Sequence, residues 1–319
     1  MSTGWHGLDD SLRLIFAICR AASPAEDRAV LMLRRLGGLT TAEIARGLLL
    51  PEPAVADRAR RAERALAEAR ATAGPPVGAE WEARLSSVLE VIYLIFNAGR
   101  TAATAGGTTR PDLCAEALRL AGVLGGLAPG EPEILGLGAL MNFQAARFAA
   151  RAGPGGEPVL LLDQDRSRWS QPLIRRGLAA LARAEALGGA PGPYVLHATI
   201  AACHARAASA ADTDWVRIVT LYEALSTVTP SPLVELNRAV ALTMAYGPPA
   251  GLALADALAG EPALQDCHLL PSLRGDLLAR LGRPGEARRE FERAAALARG
   301  GRERTVLRDR ARACGPSGT

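Results

Sequence analysis

The stretch Leu39–Arg70, LTTAEIARGLLLPEPAVADRARRAERALAEAR, predicts two short helices joined by a tight turn. Thr40 and Glu43 have the S/T-x-x-E spacing of a capping box, which satisfies free N–H groups at the start of a helix. Pro51 lacks the N–H that a continuing helix needs, so the first helix ends before it. Pro53 is tolerated in a first helical turn, where the second helix begins. The stretch therefore predicts a helix-turn-helix.

The second of these helices is amphipathic, with a basic polar side. Its apolar face is formed by Val55, Ala59, Ala62 and Leu66. Contacts between arginine and phosphate dominate affinity for DNA, and carboxylates accept hydrogen bonds from cytosine amino groups. The predicted DNA-contacting residues on this helix are Glu52, Asp57, Arg58, Arg60, Arg61 and Arg64. The alternative is an ordinary solvated helix face.

Charge and composition narrow the fold class and the position of a nucleic-acid site. All 37 basic residues are arginine, and the net charge is +4. Residues 28–70 hold nine arginines against five acidic residues, so this segment carries the net charge and is the expected nucleic-acid footprint. Aromatic residues make up 4% of the chain, and β-branched residues are also sparse. Because strands favour those residue types, we expect an all-α fold.

The cysteines and the hydropathy pattern predict a cytoplasmic protein. The five cysteines are dispersed and include no C-x-x-C pair: Cys19, Cys114, Cys203, Cys267 and Cys314. This arrangement favours a reducing compartment. The first residues, MSTGWHGLDD, lack the basic region and apolar run of a signal peptide. No uncharged apolar stretch reaches the ~20 residues of a membrane span, so no membrane partner is expected.

The segment at 37–66, GGLTTAEIARGLLLPEPAVADRARRAERAL, resembles region 4 of extracytoplasmic-function sigma factors that carry a large helical C-terminal extension. The resemblance continues in order through YLIFNAGR (93–100), DLCAEALRLA (112–121), DQDRSRW (163–169), IAACHARAAS (200–209), DTDW (212–215) and LNRAVAL (236–242). It implies contact with the promoter −35 element. It also implies the RNA polymerase core as a partner.

The chain departs from this family in three places. Region 2, which melts the −10 element, should precede region 4, but only a short segment precedes Leu12, so we expect region 2 to be absent. The second helix of the motif lacks family-typical polar or basic side chains at Ala54, Asp57, Glu63 and Ala65. In YLIFNAGR, Ala98 and Arg100 stand where the family tends to have an acid and an aromatic. The chain then has either a truncated start or a changed function.

Breaks in the helical pattern predict the domain organisation. Residues 1–71 are expected to form a helix-turn-helix domain with two preceding helices, the second capped by Ser23. Residues 72–80, TAGPPVGAE, are expected to be a linker, because Gly-Pro-Pro interrupts a helix. Residues 81–300 are expected to form a helical domain. Residues 301–319 are expected to be a tail that is frayed at its end.

The helical domain shows signs of an internal repeat. In Leu269–Arg299, Leu281-Gly282 is followed by Ala287, Phe291 and Ala295, which fits the second half of a tetratricopeptide (TPR) unit. Residues 214–258 form a looser copy. We therefore expect a TPR-like stack of helix pairs with a concave surface. Helices are predicted near 81–99, 111–123, 131–150, 171–187, 193–209, 214–227, 231–246, 249–258, 268–281 and 284–299.

Several polar and aromatic residues form a second candidate site, a pocket for a small molecule or a protein. They are Asp163, Asp165, Arg166, Trp169, His204, Asp214, Trp215 and Asn237. For DQDRSRW the alternative is an intramolecular network of caps and salt bridges that serves the helix beginning near Ser170. Asp214 is also a candidate helix N-cap. Asn237 is also a candidate for a buried hydrogen bond between helices.

The chain contains no nucleotide-binding loop, nucleophile motif or zinc ribbon. His197 and His204 lie two helical turns apart, a poor spacing for one metal. We therefore expect no metal site and no cofactor, and we assign no catalytic residue. Three functions remain open. They are a transcription protein, a sigma-derived protein that became a small-molecule-binding protein or an enzyme, and a protein-interaction scaffold.

Overall fold

The computed structural model describes residues 10–20, 23–48, 50–70, 79–101, 111–153, 159–298 and 300–315. The described residues are built from helices, so the predicted all-α fold is confirmed. The helices are α1 (Asp10–Arg20), α2 (Ala25–Arg35), α3 (Thr41–Leu48), α4 (Glu52–Arg70), α5 (Ala79–Thr101), α6 (Pro111–Leu127), α7 (Pro132–Ala146), α8 (Gln171–Ala186), α9 (Pro193–Arg206), α10 (Trp215–Val228), α11 (Pro232–Tyr246), α12 (Pro248–Ala257), α13 (Leu269–Arg280), α14 (Pro284–Leu297) and α15 (Gly301–Ala313). They divide into two compact units, Met1–Ala198 and Thr199–Thr319.

The helix-turn-helix is formed by α3 and α4, as the capping box predicts. The backbone N–H of Glu43 donates to Thr40 Oγ1 over 3.2 Å. In return, the backbone N–H of Thr40 donates to Glu43 Oε2 over 2.8 Å. These two bonds satisfy donors at the first turn of α3, where no earlier carbonyl is available. The local sequence therefore sets where α3 begins.

The start of α2 differs from the prediction. Its N-cap is Pro24, whose extended backbone leads into the helix, and no side chain caps it. The predicted cap, Ser23, is therefore wrong, because the chain enters the helix one residue later. Glu26 and Asp27 place negative charge in the first turn, where it interacts favourably with the helix dipole.

The first unit has one core that runs through the helix-turn-helix and beyond it. Buried side chains from α1 to α4 and from α5 to α7 belong to the same apolar cluster, with Phe16 and Phe96 among the largest. The predicted linker, residues 72–80, lies largely outside the described residues, and α5 begins at Ala79. The helices on either side of this segment share a core, so it does not separate two independently packed domains.

The second unit is a succession of helices in which each packs on the next from α10 to α15. Its core includes Phe291, Leu307 and Ala311. The last two lie on α15, so residues 301–313 of the predicted tail form an amphipathic helix that buries one face. Residues 316–319, the end of the predicted tail, lie outside the described residues.

The helices and the cysteines bear on the predictions of a membrane span and of disulfide bonds. Within the ranges described above, no helix is both long enough and apolar enough to cross a membrane. All five cysteines are free thiols, and Cys19, Cys114 and Cys203 are buried.

Candidate nucleic-acid interface

The recognition helix α4 buries the face that its sequence predicts. Val55, Ala59, Ala62 and Leu66 are all at most 5% exposed. This face packs against α1, α2 and α3. On the opposite side Glu52, Asp57, Arg60, Arg61 and Arg64 are exposed, and Arg58 is half-buried. The side of α4 that a major groove would meet is thus the charged side.

One of the predicted DNA-contacting residues is engaged inside the protein. Arg61 donates from Nε to Asp27 Oδ2 over 2.7 Å and from Nη2 to Asp27 Oδ1 over 2.9 Å. Asp27 is 2% exposed, whereas the Arg61 side chain is half-exposed. The hydrogen bond to Asp27 raises the pKa of Arg61. Arg61 therefore fastens α4 to α2, and any contact with DNA would have to compete with this pair.

The sequence interpretation missed Asp27, although its register carries a signal. Asp27 lies three and four residues before Val30 and Leu31, which are fully buried on α2. Residues at these spacings share one helix face. A lone carboxylate on a buried face requires a charged partner, because an unpaired buried charge is strongly unfavourable. The helical register of α2 thus predicts that Asp27 has a charged partner, but it does not identify that partner as Arg61.

Other charges on the face of α4 are also paired. Arg60 forms an ion pair with Asp57 one turn earlier on the same helix. Arg35 of α2 approaches Glu63 of α4, with 3.3 Å between Nη2 and Oε1. The acidic residues that would repel phosphate are therefore partly neutralised.

Arg58 and Arg64 differ from the other arginines of α4. Neither forms an ion pair with any other described residue. Arg64 is exposed and Arg58 is half-buried. Among the arginines of α4 whose side chains are described, these two remain available to an external anion without breaking an ion pair.

The DQDRSRW segment, in the first unit, forms a local cap. Asp165 Oδ1 accepts from the backbone N–H of Ser167 over 2.9 Å and from its hydroxyl over 2.6 Å. These bonds lower the pKa of Asp165 and cap the 3₁₀ turn Arg166–Arg168. The predicted cap on the helix beginning near Ser170 is therefore wrong for Asp165, which caps this 3₁₀ turn instead. The N-cap of α8 is Ser170, without a side-chain bond, while Asp163 is exposed.

The remaining residues of the second candidate site lie in the second unit. Asp214 caps α10 by accepting from the backbone N–H of Arg217 over 3.0 Å, as the N-cap interpretation predicts. The rings of His204 and Trp215 meet edge to face, with 5.1 Å between centroids. Asn237 is exposed on α11, so the alternative of a buried hydrogen bond is wrong. These contacts give each residue except Asn237 a structural role.

An arginine cluster in the first unit was not recognised as a site from the sequence. The Arg147 and Arg166 guanidinium carbons lie 5.9 and 5.0 Å from the centre of the Trp169 ring. The Arg151 guanidinium carbon lies 5.9 Å from the Phe148 ring. Burial, followed by repulsion from Arg151 and Arg100, lowers the pKa of Arg147 to about 10. Burial and repulsion from Arg100 lower the pKa of Arg151 to about 10.

The cluster draws on three separate segments, which explains why sequence spacing did not reveal it. Arg147 and Arg151 are four residues apart, the one local signal of a shared surface. Arg100 comes from the end of α5 and donates from Nε to Asn97 Oδ1 over 3.1 Å. Arg166 comes from the DQDRSRW segment.

Comparison with known families agrees with this geometry. The family described as sigma-70, region 4 matches residues 24–66, which span α2, α3 and most of α4. These helices therefore form a sigma-70 region 4 domain. Residues 84–185 match a family of unknown function, DUF6596, which covers most of α5 and the helices through nearly all of α8.

One relative is similar to this chain over nearly its whole length. An uncharacterized protein of Rhizobium meliloti (strain 1021) is 43% identical over 305 residues, covering 96% of this chain and 71% of the relative. The chain belongs to the same protein family as this relative. No solved structure matches the chain.

Proposed function

We propose that the chain is a sigma-factor-like transcription protein that acts in the cytoplasm. In this proposal its helix-turn-helix contacts a −35-type promoter element, the RNA polymerase core, or both. The observation that carries the proposal is the exposed charged side of α4 within a sigma-70 region 4 domain. The resemblance of residues 37–66 to extracytoplasmic-function sigma factors supports the finer assignment.

Charge pairing on α4 implies that DNA binding by this domain is weak. Arg60 is paired with Asp57, and Arg61 is paired with Asp27. Of the predicted basic contacts, Arg58 and Arg64 are left to bind phosphate without breaking an ion pair. Affinity for DNA falls with salt in proportion to the number of phosphates neutralised. We therefore expect a shallow salt dependence, with a log–log slope of about −2 when two phosphates are contacted.

The direct test is fluorescence-polarisation binding of the whole chain to duplex DNA across a salt titration. The test variant is Arg58→Ala/Arg64→Ala. The control variant is Arg175→Ala/Arg176→Ala, which removes the same charge from exposed positions on α8. The proposal predicts that the test variant loses binding and its salt dependence, while the control keeps both. Equal binding by the two variants would refute contact through α4.

The helical remainder of the chain is proposed to regulate this domain or to recruit a partner. The succession of helices from α10 to α15, each packed on the next, supports a TPR-like arrangement. The turn between α13 and α14 uses Gly282 at φ 72°, a conformation that favours glycine. This glycine belongs to the Leu281-Gly282 pair that suggested the repeat. Co-purification with the RNA polymerase core, comparing the whole chain with the Arg58→Ala/Arg64→Ala variant, tests whether recruitment requires the DNA-contacting face.

A further inference from the structure

Three arginines of the cluster in the first unit carry positive charge that no nearby carboxylate in the described part of the chain neutralises. Arg100, Arg147 and Arg151 are each half-buried. No carboxylate of the described residues forms an ion pair with any of the three. Several other partly buried guanidiniums among the described residues have such a partner, as Arg61 has Asp27 and Arg274 has Glu290.

The aromatic framework beneath the cluster orders these side chains. Phe148 stacks on Phe96 of α5, with 6.0 Å between ring centres, and Arg151 lies over Phe148. Arg100 is one helical turn beyond Phe96, which brings the end of α5 to the same place. Arg147 lies over Trp169, which is 4% exposed. Stacking on aromatic faces restricts a guanidinium while leaving its N–H edge free to donate.

Two buried donors at this place have no hydrogen-bond partner among the described residues. They are Nε of Arg151 and the indole Nε1 of Trp169. Buried donors are nearly always satisfied in folded proteins, and an orphaned donor marks strain or a group that binds there. Converging positive charge with unused donors therefore indicates an external acceptor.

We propose that Arg100, Arg147 and Arg151 form a binding site for the phosphate group of a small molecule. A phosphate dianion presents several acceptor oxygens and matches the geometry of guanidinium forks. A single carboxylate carries one negative charge and would leave most of the cluster uncompensated. A nucleic-acid backbone requires an exposed surface, whereas these guanidiniums are half-buried. The site is independent of the α4 face and of the proposed DNA binding.

The cluster also predicts how binding changes the protein. Burial and like charge lower the pKa of Arg147 and Arg151, so the cationic cluster opposes folding when no anion is bound. A bound phosphate removes this repulsion. The substitutions Arg147→Met and Arg151→Met also reduce the repulsion between the arginines, because methionine retains an apolar stem without the charge. These variants are therefore expected to melt at or above the wild-type temperature in phosphate-free buffer.

The test is thermal unfolding of the whole chain titrated with inorganic phosphate at constant ionic strength, with chloride as the reference anion. The Tm of wild type should rise with the logarithm of the phosphate concentration above Kd, by about 5 °C at a hundredfold excess over Kd. Arg147→Met and Arg151→Met should lose the rise, and Arg100→Met should weaken it. Arg176→Met removes one exposed arginine of the same unit and should keep the full rise. If one cluster variant does not fold, the other two give the same comparison.

Two further measurements sharpen the result. Phenyl phosphate distinguishes a site for phosphate monoesters, which would bind at least as well as inorganic phosphate, from a site for the free ion. The Arg58→Ala/Arg64→Ala variant should keep the phosphate response, so failure of DNA binding and failure of this site are separately visible. A wild-type Tm that does not respond to phosphate, or an equal response in all variants, would overturn the proposal.

Discussion

Arg61 of α4 and Asp27 of α2 form a two-bond ion pair, with 2.7 Å from Nε to Oδ2 and 2.9 Å from Nη2 to Oδ1. The two residues are 34 positions apart, and their pair joins the recognition helix to the helix beneath it. The carboxylate is buried, and the guanidinium is half-exposed. Because of this asymmetry, we expect substitutions of the two partners to affect stability and the proposed DNA binding in different ways.

The first prediction concerns stability. Arg61→Ala leaves the buried Asp27 carboxylate without its partner, which costs about 1–3 kcal/mol in free energy of unfolding. Solvent near the half-exposed pair places the loss toward the lower end. Adding Asp27→Leu should restore most of it, because the buried polar group is then absent. Urea denaturation at pH 7 measures both changes.

Arg60→Ala, which breaks an exposed pair, is the control for this prediction. Its free energy of unfolding should stay within about 0.5 kcal/mol of the wild-type value. A double variant less stable than Arg61→Ala would refute the reasoning.

The second prediction concerns DNA. Asp27→Asn removes the charge that holds Arg61, so the guanidinium becomes available to phosphate. If α4 binds DNA, the affinity should rise, and the log–log salt slope should steepen by about one phosphate contact. Fluorescence polarisation of wild type and variant measures both. Asp57→Asn releases Arg60 in the same manner and provides a second, exposed comparison. A loss of affinity in Asp27→Asn would instead show that the pair positions α4 for binding.

The third prediction concerns the packing of α13 against α14. A Cβ added at Gly275 would lie 2.8 Å from two carbons of the Phe291 ring. Gly275→Ala should therefore destabilise the second unit by about 1–3 kcal/mol through overpacking. Gly285→Ala is the matched control, because a Cβ there meets no atom within 4 Å. It should be neutral or stabilise by up to about 1 kcal/mol. Thermal unfolding of both variants gives the comparison, and equal Tm values would contradict the close contact.

The fourth prediction concerns pH. Burial lowers the pKa of His197 below its ordinary value of about 6.5. The unfolded chain then takes up this proton at a higher pH than the folded chain. The stabilising effect of a neutral His197 is fully present above pH 6.5 and is lost as pH falls toward the folded-state pKa. The slope from this residue is at most about 1.4 kcal/mol per pH unit.

His197→Gln should remove this part of the acid sensitivity. Urea denaturation of wild type and variant between pH 7.5 and 5 isolates it, because all other titrating groups are shared. The stability difference between them should be constant above pH 6.5 and should shift in favour of the variant below it. A difference that does not vary with pH would show that His197 titrates equally in both states.

The sequence predicted most of the helices, but it did not predict the ion pair that holds Arg61. The predicted helix near 231–246 appears as Pro232–Tyr246, and that near 284–299 appears as Pro284–Leu297. Prolines and capping residues mark such ends locally. From the sequence, both Arg60 and Arg61 were predicted to contact DNA, with no difference between their roles. Helix periodicity separates polar from apolar faces, but it does not show which arginine has a buried partner on another helix.

The sequence by itself determined the helix-turn-helix, because the capping box of Thr40 and Glu43 and the apolar register of α4 act within a few residues. Tertiary structure alone decided that Arg61 is held by Asp27 and that α15 packs as a helix through Leu307 and Ala311. It also decided that Arg100 of α5 lies near Arg147 and Arg151, which stack on Trp169 and Phe148. Local hydrogen bonds and steric limits encode the first kind of feature in adjacent residues. The second kind depends on which helices share a core.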